Sequence, residues 1–433
     1  MLLFTVSSCR KPSRQLHIFC RKFGKILFIL FLLTILFYAF SRQHVVLTNS
    51  LTRRSRNIYD FYNSNCCVDI MQEMRSGKWK PRRDIQSEDK IHRTEQDIRI
   101  RKLRGLPVKL HREDGRCGNM FVIDAPDFGP SVPSLCDRYS TTPCCNHELG
   151  RCGSGDENCL CDRCTDFRKT VDAEMSEFVA SSGCEFQNFT SKQACQLLSE
   201  RVSSLSLIGD SLVRHFHNAL MITFTDDRET GCLVKDIDDN DRRLCSSDMQ
   251  FVDGGKALCH GKTARKISQL PKGKFCRGEH SFLYSFHEFY SVAHINLVLH
   301  EVRKNLHKKN CVTAIGVGLH MGLDPHKVLN EYLKPILQLK QQAQSYWPVV
   351  VWLTTHAHGS LKPVVYQESQ GNERICRFNK NMRAFLEPVG VPVFDTFNLT
   401  LGVHSYDGTH YGFGVNMLKA QLFINFLDKT LLL

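Results

Sequence analysis

The chain has 433 residues and a formal net charge of +13 that no single block accounts for. A chain this long exceeds one small domain and points to two or three. No aromatic-interleaved basic patch stands out, which argues against nucleic-acid binding. Twenty cysteines point to disulfides in an oxidising compartment.

Residues 1–25 carry Arg10, Lys11, Arg14, Arg21, Lys22 and Lys25 and no acidic residue. An apolar run follows from Ile26 to Phe40 and ends at Arg42. It is near the lower limit for a hydrocarbon core, which snorkelling by Lys25 and Arg42 extends. The long basic flank and the lack of a small-x-small site close after Phe40 favour a signal anchor (26–44) over a cleaved signal peptide. The basic tail should stay cytoplasmic. The expectation is a type II single-pass protein of Golgi or early secretory membranes, its C-terminal bulk luminal.

Residues 45–115 are polar and charge-dense, with basic clusters at Lys78–Arg83 and Ile98–Arg104. No sustained apolar period marks a core, so a partly helical stalk is expected. Cys66 and Cys67 interrupt it. They can pair elsewhere in the chain or link two chains as a disulfide dimer.

Residues 117–170 contain a cysteine-dense module, with Cys117, Cys136, Cys144, Cys145, Cys152, Cys159, Cys161 and Cys164. The run Cys144–Cys159 resembles the hevein-type chitin-binding module, with a first loop one residue longer. Arg151 and Asn158 stand where that family has sugar-stacking aromatics, and Asn146 replaces its Ser. Without flat rings a pyranose face finds little to stack on, so a disulfide-held spacer is expected. The competing reading is zinc at Cys161 and Cys164 with Cys152 or Cys159; an oxidising lumen favours disulfides, and no metal site is expected.

From Cys184 to the C-terminus, composition alternates between strand-like and helix-like stretches. Strands are predicted at Leu205–Ile208, 281–290, Cys311–Val317, Val349–Thr354 and Val391–Phe394. Helices are predicted at 190–198, 212–223, 293–308, 326–346, 373–387 and 414–427. Residues 225–278 read as loop, stapled through Cys232, Cys245, Cys259 and Cys276. Repeated strand–helix units imply a parallel sheet covered on both faces. Ligand sites then lie beyond the C-terminal strand ends, where Ser211, His320, His356 and His410 all fall.

The nucleophile candidate lies in Ser206-Leu-Ile-Gly-Asp-Ser-Leu-Val-Arg-His215. An apolar strand runs into Gly209-Asp210-Ser211 and then a helix. Ser211 would sit at a helix N-terminus, where unpaired N–H groups can stabilise an oxyanion. Ser is also a favoured N-cap, and Asp210 is expected to cap or support the turn. Far downstream, Asp407 and His410 stand three apart on an Asp-Gly turn, as base and orienter would.

These blocks resemble the SGNH/GDSL hydrolase superfamily, and within it the PC-esterase branch. That branch includes the plant trichome-birefringence-like polysaccharide O-acetyltransferases and animal sialate O-acetyltransferase. The match falls on Gly209, Asp210 and Ser211, on Arg214, and on Asp407 and His410. It implies a three-layer α/β fold over 184–433 and a Ser211–His410–Asp407 triad. It also implies O-acyl, chiefly O-acetyl, esterase or transferase activity on glycans, with no bound cofactor. A transferase would need an acyl donor, acetyl-CoA or an acetylated intermediate. Gly209, Arg214, Gly316, Gly318 and His320 are the expected oxyanion or substrate-binding residues, with a salt-bridged helix residue the equal alternative for Arg214.

One departure weighs against activity. Gly316 stands where many relatives have an Asn oxyanion donor; Gly318 and His320 match the branch's Gly-x-His ending. Loss of one such donor costs on the order of 100-fold or more in rate, unless His320 or a backbone amide compensates. Gly254 and Gly255 are candidates for the second-block glycine. His356 and His358, two apart, are expected to line a sugar site or cap their loop rather than bind metal. Asn188 and Asn398 open glycosylation sequons. The alternatives are a catalytically degenerate luminal carbohydrate-binding protein and a lipid-directed esterase.

Overall fold

The computed structural model describes residues 67, 69–154, 159–252, 259–280 and 282–431. The predicted tail (1–25), anchor (26–44), first part of the stalk, Cys66, Asn158, Gly254 and Gly255 lie outside the described residues. Among the described residues no helix is long and apolar enough to cross a membrane.

The chain opens with α1 (Ile70–Ser76), β1 (Lys78–Pro81) and α2 (Ser87–Leu103). Short strands follow: β2 (Gly118–Ile123), β3 (Val132–Ser134), β4 (Cys144–Asn146), β5 (Arg151–Gly153), β6 (Cys164–Asp166) and β7 (Ser176–Val179). The α/β part then runs α3 (Ser191–Arg201), β8 (Ser204–Gly209), α4 (Ser211–Thr225), α5 (Asp239–Cys245), β9 (Leu283–His287), α6 (Ile295–Asn305) and β10 (Cys311–Gly316). It closes with α7 (Lys334–Gln342), β11 (Val349–Leu353), α8 (Val364–Gln370), α9 (Asn372–Leu386), β12 (Val393–Phe394), α10 (Phe397–Thr400) and α11 (Phe413–Phe426). The long helix predicted over 326–346 is divided: a turn at Pro325–Lys327 and a π-helical stretch at Val328–Leu333 precede α7.

Strands β8 to β12 form one five-stranded sheet in the order β12-β11-β10-β8-β9, parallel throughout. Its strands read as near-continuous Val, Ile and Leu runs because both faces are covered. Side-chain alternation divides them between two cores. Leu205, Leu207, Val312, Ala314, Val349 and Val351 pack with Leu220 of α4 and Phe423 of α11. Ile208, Ile315, Val350 and Trp352 pack with Val298 of α6, Ile336 of α7 and Met382 of α9. This is the three-layer arrangement expected. The chain leaves β8 for β9 on one side and returns to β10 on the other, so strand order reverses at β8. In open parallel sheets, ligand sites lie at the carboxyl ends of the strands beside such a reversal.

The stalk expectation fails from Cys67 onward. β1 pairs antiparallel with β7, Met74 and Ile100 are fully buried, and Trp79 Nε1 donates to the Leu399 carbonyl at 2.8 Å. Buried ion pairs also join the segment to the rest of the domain. Buried Arg93 faces Asp172 at 3.2 Å and Glu174 at 3.6 Å, and His404 meets Asp97 at 2.9 Å. A segment tethered by ion pairs shows no hydrophobic period. Cys67 is bonded to Cys184 within the chain, the first of the two outcomes open to it.

In the cysteine-rich region, Cys117–Cys145, Cys136–Cys152, Cys144–Cys159 and Cys161–Cys164 are bonded. Cys152, Cys159, Cys161 and Cys164 of the zinc alternative are each disulfide-bonded here. Buried Cys117, Cys136 and Cys145 with Phe167 make the small core, where half-cystines replace the aliphatics a short segment lacks. Downstream, Cys195–Cys276 and Cys245–Cys259 are bonded. Cys232, expected to be stapled, is a buried free thiol. The stretch expected as loop contains α5.

Candidate active site

Ser211 is the first residue of α4, directly after the carboxyl end of β8. Asp210 is the N-cap: its Oδ1 accepts from the Leu212 N–H at 3.0 Å, the capping role expected. Burial raises the Asp210 carboxyl pKa, while His320, His410 and Arg214 pull it the other way. Ser211 itself is partly exposed, as a hydroxyl meant to meet a ligand would be. The first N–H groups of a helix have no helical acceptors, so the Ser211 amide is a ready donor to an anion.

The turn Asp407–His410 comes to this hydroxyl from 199 residues away: His410 Nε2 lies 2.8 Å from Ser211 Oγ. His410 Nδ1 lies 2.8 Å from Asp407 Oδ2. With Nδ1–H donating to the carboxylate, Nε2 is left to accept the serine proton. Asp407 Oδ1 accepts two backbone N–H groups, from Thr409 at 2.8 Å and His410 at 2.7 Å. Burial alone would raise the Asp407 pKa, but Arg104 and His410 outweigh it and hold the carboxyl far below the usual carboxylate range. Gly408 makes the turn possible. Its φ is +82°, and a Cβ there would meet Lys362 N at 1.9 Å.

The loop after β11 clamps the turn from behind. His356 Nε2–H donates to the Thr409 carbonyl at 2.7 Å, and Lys419 Nζ donates to His356 Nδ1 at 2.7 Å. Burial, reinforced by Lys419, pushes the His356 pKa well down. Burial brings Lys419 down to about 7 and Lys362 to about 8. Lys362 Nζ donates to Thr409 Oγ1 at 2.9 Å. His358 Nδ1 turns to the Gly359 carbonyl at 3.0 Å. Both histidines thus organise their loop, one of the two roles expected of them.

The other expected residues divide. Gly209 and Gly316 sit opposite each other on β8 and β10. A Cβ on Gly316 would come within 2.7 Å of Val213 Cγ2. Gly318 lies beneath Phe378 with φ +159°. Neither Gly316 nor Gly318 offers a side-chain oxyanion donor. His320 is exposed beside the site, its ring 4.6 Å from that of Tyr290. Arg214 takes the salt-bridged role, the second of the two open to it. It is buried and paired with Glu288, which also meets Arg265 at 3.1 Å. Asn188 is exposed. Asn398 donates from Nδ2 to the Arg75 carbonyl at 2.9 Å, and Thr400 of its sequon is fully buried.

Two contributors escape sequence reasoning. Arg104, at the C-cap of α2, reaches Asp407 Oδ2 at 2.5 Å. Lys419, on α11, supports His356. The Ile98–Arg104 basic cluster was the visible trace of the first; nothing local marks the second.

No protein-family model matches the chain, and no curated protein does. Among solved structures, Est24, a carbohydrate acetylesterase from Sinorhizobium meliloti, is similar at 11% identity with a TM-score of 0.29, over 51% of this chain and 96% of that one.

Proposed function

We propose that the chain is a serine-dependent O-acyl esterase or acyltransferase of the SGNH type, within the PC-esterase branch, acting on O-acetylated glycans. The observation that carries this reading is the His410 Nε2 to Ser211 Oγ separation of 2.8 Å, with the imidazole held from its far side by Asp407. Ser211 Oγ attacks the ester carbonyl while its proton passes to His410 Nε2. The C=O π electrons become an oxyanion facing the head of α4. On collapse the C–O bond to the leaving alcohol breaks, and His410 returns the proton to that alcohol. An acyl-serine remains. Water or a sugar hydroxyl, deprotonated by His410, attacks it, and Ser211 leaves with its proton restored.

Backbone N–H groups carry the oxyanion in this reading, since Gly316 supplies no side chain. Seven disulfides among the described residues support an oxidising lumen, and the apolar run 26–40 supports a single-pass Golgi or early secretory anchor. No cofactor is invoked; the transferase would take its acyl group from acetyl-CoA or an acetylated intermediate.

The test is acetate release from an O-acetylated glycan by the full-length chain, with and without an unacetylated acceptor. Acetate in both arms supports an esterase, and acetyl transfer to the acceptor supports a transferase. Neither, from folded protein across a panel of acetylated glycans, counts against this reading.

A further inference from the structure

We propose that Arg104 is a positioning residue that locks the Asp407 carboxylate onto His410, so that the segment before the cysteine-rich region completes the site. The proposal rests on the triad reading above. Asp407 Oδ1 is saturated by two backbone N–H groups. Oδ2 is shared by His410 Nδ1 and Arg104. With all four acceptor directions taken, the carboxylate has no rotation left that keeps its bonds.

The cost of this arrangement argues that it is not there for stability alone. Arg104 and Asp407 are both buried. Arg104 Nε and Nη1 have no hydrogen-bond partner among the described residues. The rest of the guanidinium lies against the Phe128 ring, 5.2 Å from its centroid. A buried ion pair with unmade donors is a poor stabiliser beside an apolar replacement. What it supplies is an ionised, oriented carboxylate. The groups facing Asp407 are Arg104 from α2, His410 and Tyr411 from its own stretch, and Lys362 from the loop after β11. Lys362 spends its bonds on Gln370 and Thr409. Arg104 alone of the two cations touches the carboxylate.

The sign follows. Arg104 favours the ionised carboxyl, so Arg104→Gln lets buried Asp407 take up its proton at higher pH. A protonated Asp407 no longer holds the His410 Nδ1–H, and the site fails from the acid side.

The experiment follows fluorophosphonate labelling rate against pH in the full-length chain, together with the far-downfield proton resonance of His410 Nδ1–H. With Arg104→Gln, His410 is left to counter the burial of the Asp407 carboxyl, so labelling is expected to slow, on the order of tenfold at mildly acidic pH. This variant is also expected to lose the resonance at higher pH than wild type. Arg104→Lys, which keeps the charge, holds the wild-type acid limb with a slower rate; it also serves if the Gln variant does not fold. Variant profiles and resonances that superimpose on wild type overturn the proposal. If wild type takes no label but the resonance follows this pattern, the positioning role stands and the catalytic reading falls.

Discussion

Gly209 and Gly316 face each other across adjacent parallel strands, and Val213 of α4 fills the space where either would carry a side chain. A Cβ on Gly209 would meet the Gly316 carbonyl oxygen and Val213 Cγ2, each at 2.3 Å; one on Gly316 would meet Val213 Cγ2 at 2.7 Å. The glycine at 316 is therefore not simply a lost oxyanion donor. It lets α4 start close against the sheet, which places Ser211. Gly316→Asn is expected to lower stability by about 1–3 kcal/mol through overpacking and to slow labelling of Ser211, not restore a donor. Adding Val213→Ala should recover part of the stability. Thermal melts of the single and double variants check this; an unchanged melting temperature in Gly316→Asn contradicts it.

The Cys67–Cys184 bond closes a 117-residue separation and fastens the α1–α2 segment to the domain. Its removal should cost about 2–5 kcal/mol. Cys67→Ser and Cys184→Ser should lower the melting temperature equally, and the double variant should lose no more than either, since both sever one bond. Additive losses would mean that the two sulfurs act separately.

Asp407 sets the imidazole tautomer, with Nδ1–H toward the carboxylate and Nε2 free for the serine. Asp407→Asn presents the same shape without the charge and can offer N–H where an acceptor is needed. Activity should fall by about 10³- to 10⁴-fold with little change in substrate KM. Steady-state kinetics on an acetyl ester decide it; a loss confined to KM would contradict the assignment.

The five strands, the Gly209–Ser211 turn and the Asp407–His410 turn are visible in the sequence because each has a local mark: an apolar run, a turn residue, a fixed spacing. Arg104, Lys419 and the folded state of 67–115 have no such mark. Arg93 and Arg104 look like solvated charges along the chain, and their partners Asp172, Glu174 and Asp407 are distant in sequence. Arg214 is open to two readings in the sequence. One turn after Ser211 it looks poised for a substrate, whereas Glu288, after β9, has taken its charge. Ion pairs between remote segments leave no periodicity, so the sequence shows the sheet and the nucleophile but not what braces them.

Lys419 gives the protein a pH-dependent burden. Its pKa is lowered to about 7 by burial, against about 10.4 in an unfolded chain. Between those values the unfolded state binds the proton that the folded state does not, so this group's contribution falls as pH drops from about 10 to about 7, then levels. Lys419→Met removes that slope. The melting temperature of Lys419→Met minus that of wild type should rise as pH falls from 10 to 7, whatever constant cost the lost His356 bond adds. A difference flat with pH contradicts the buried, neutral-favouring lysine.

The central claim is that Ser211 is a nucleophile activated by His410. The direct measurement is mass-spectrometric mapping of a fluorophosphonate adduct on the full-length protein. The adduct is expected on Ser211 in wild type, absent in Ser211→Ala, and lost or slowed by at least about a thousandfold in His410→Ala. A folded wild-type protein that takes no adduct at Ser211, or a His410→Ala variant labelled at the wild-type rate, would contradict it.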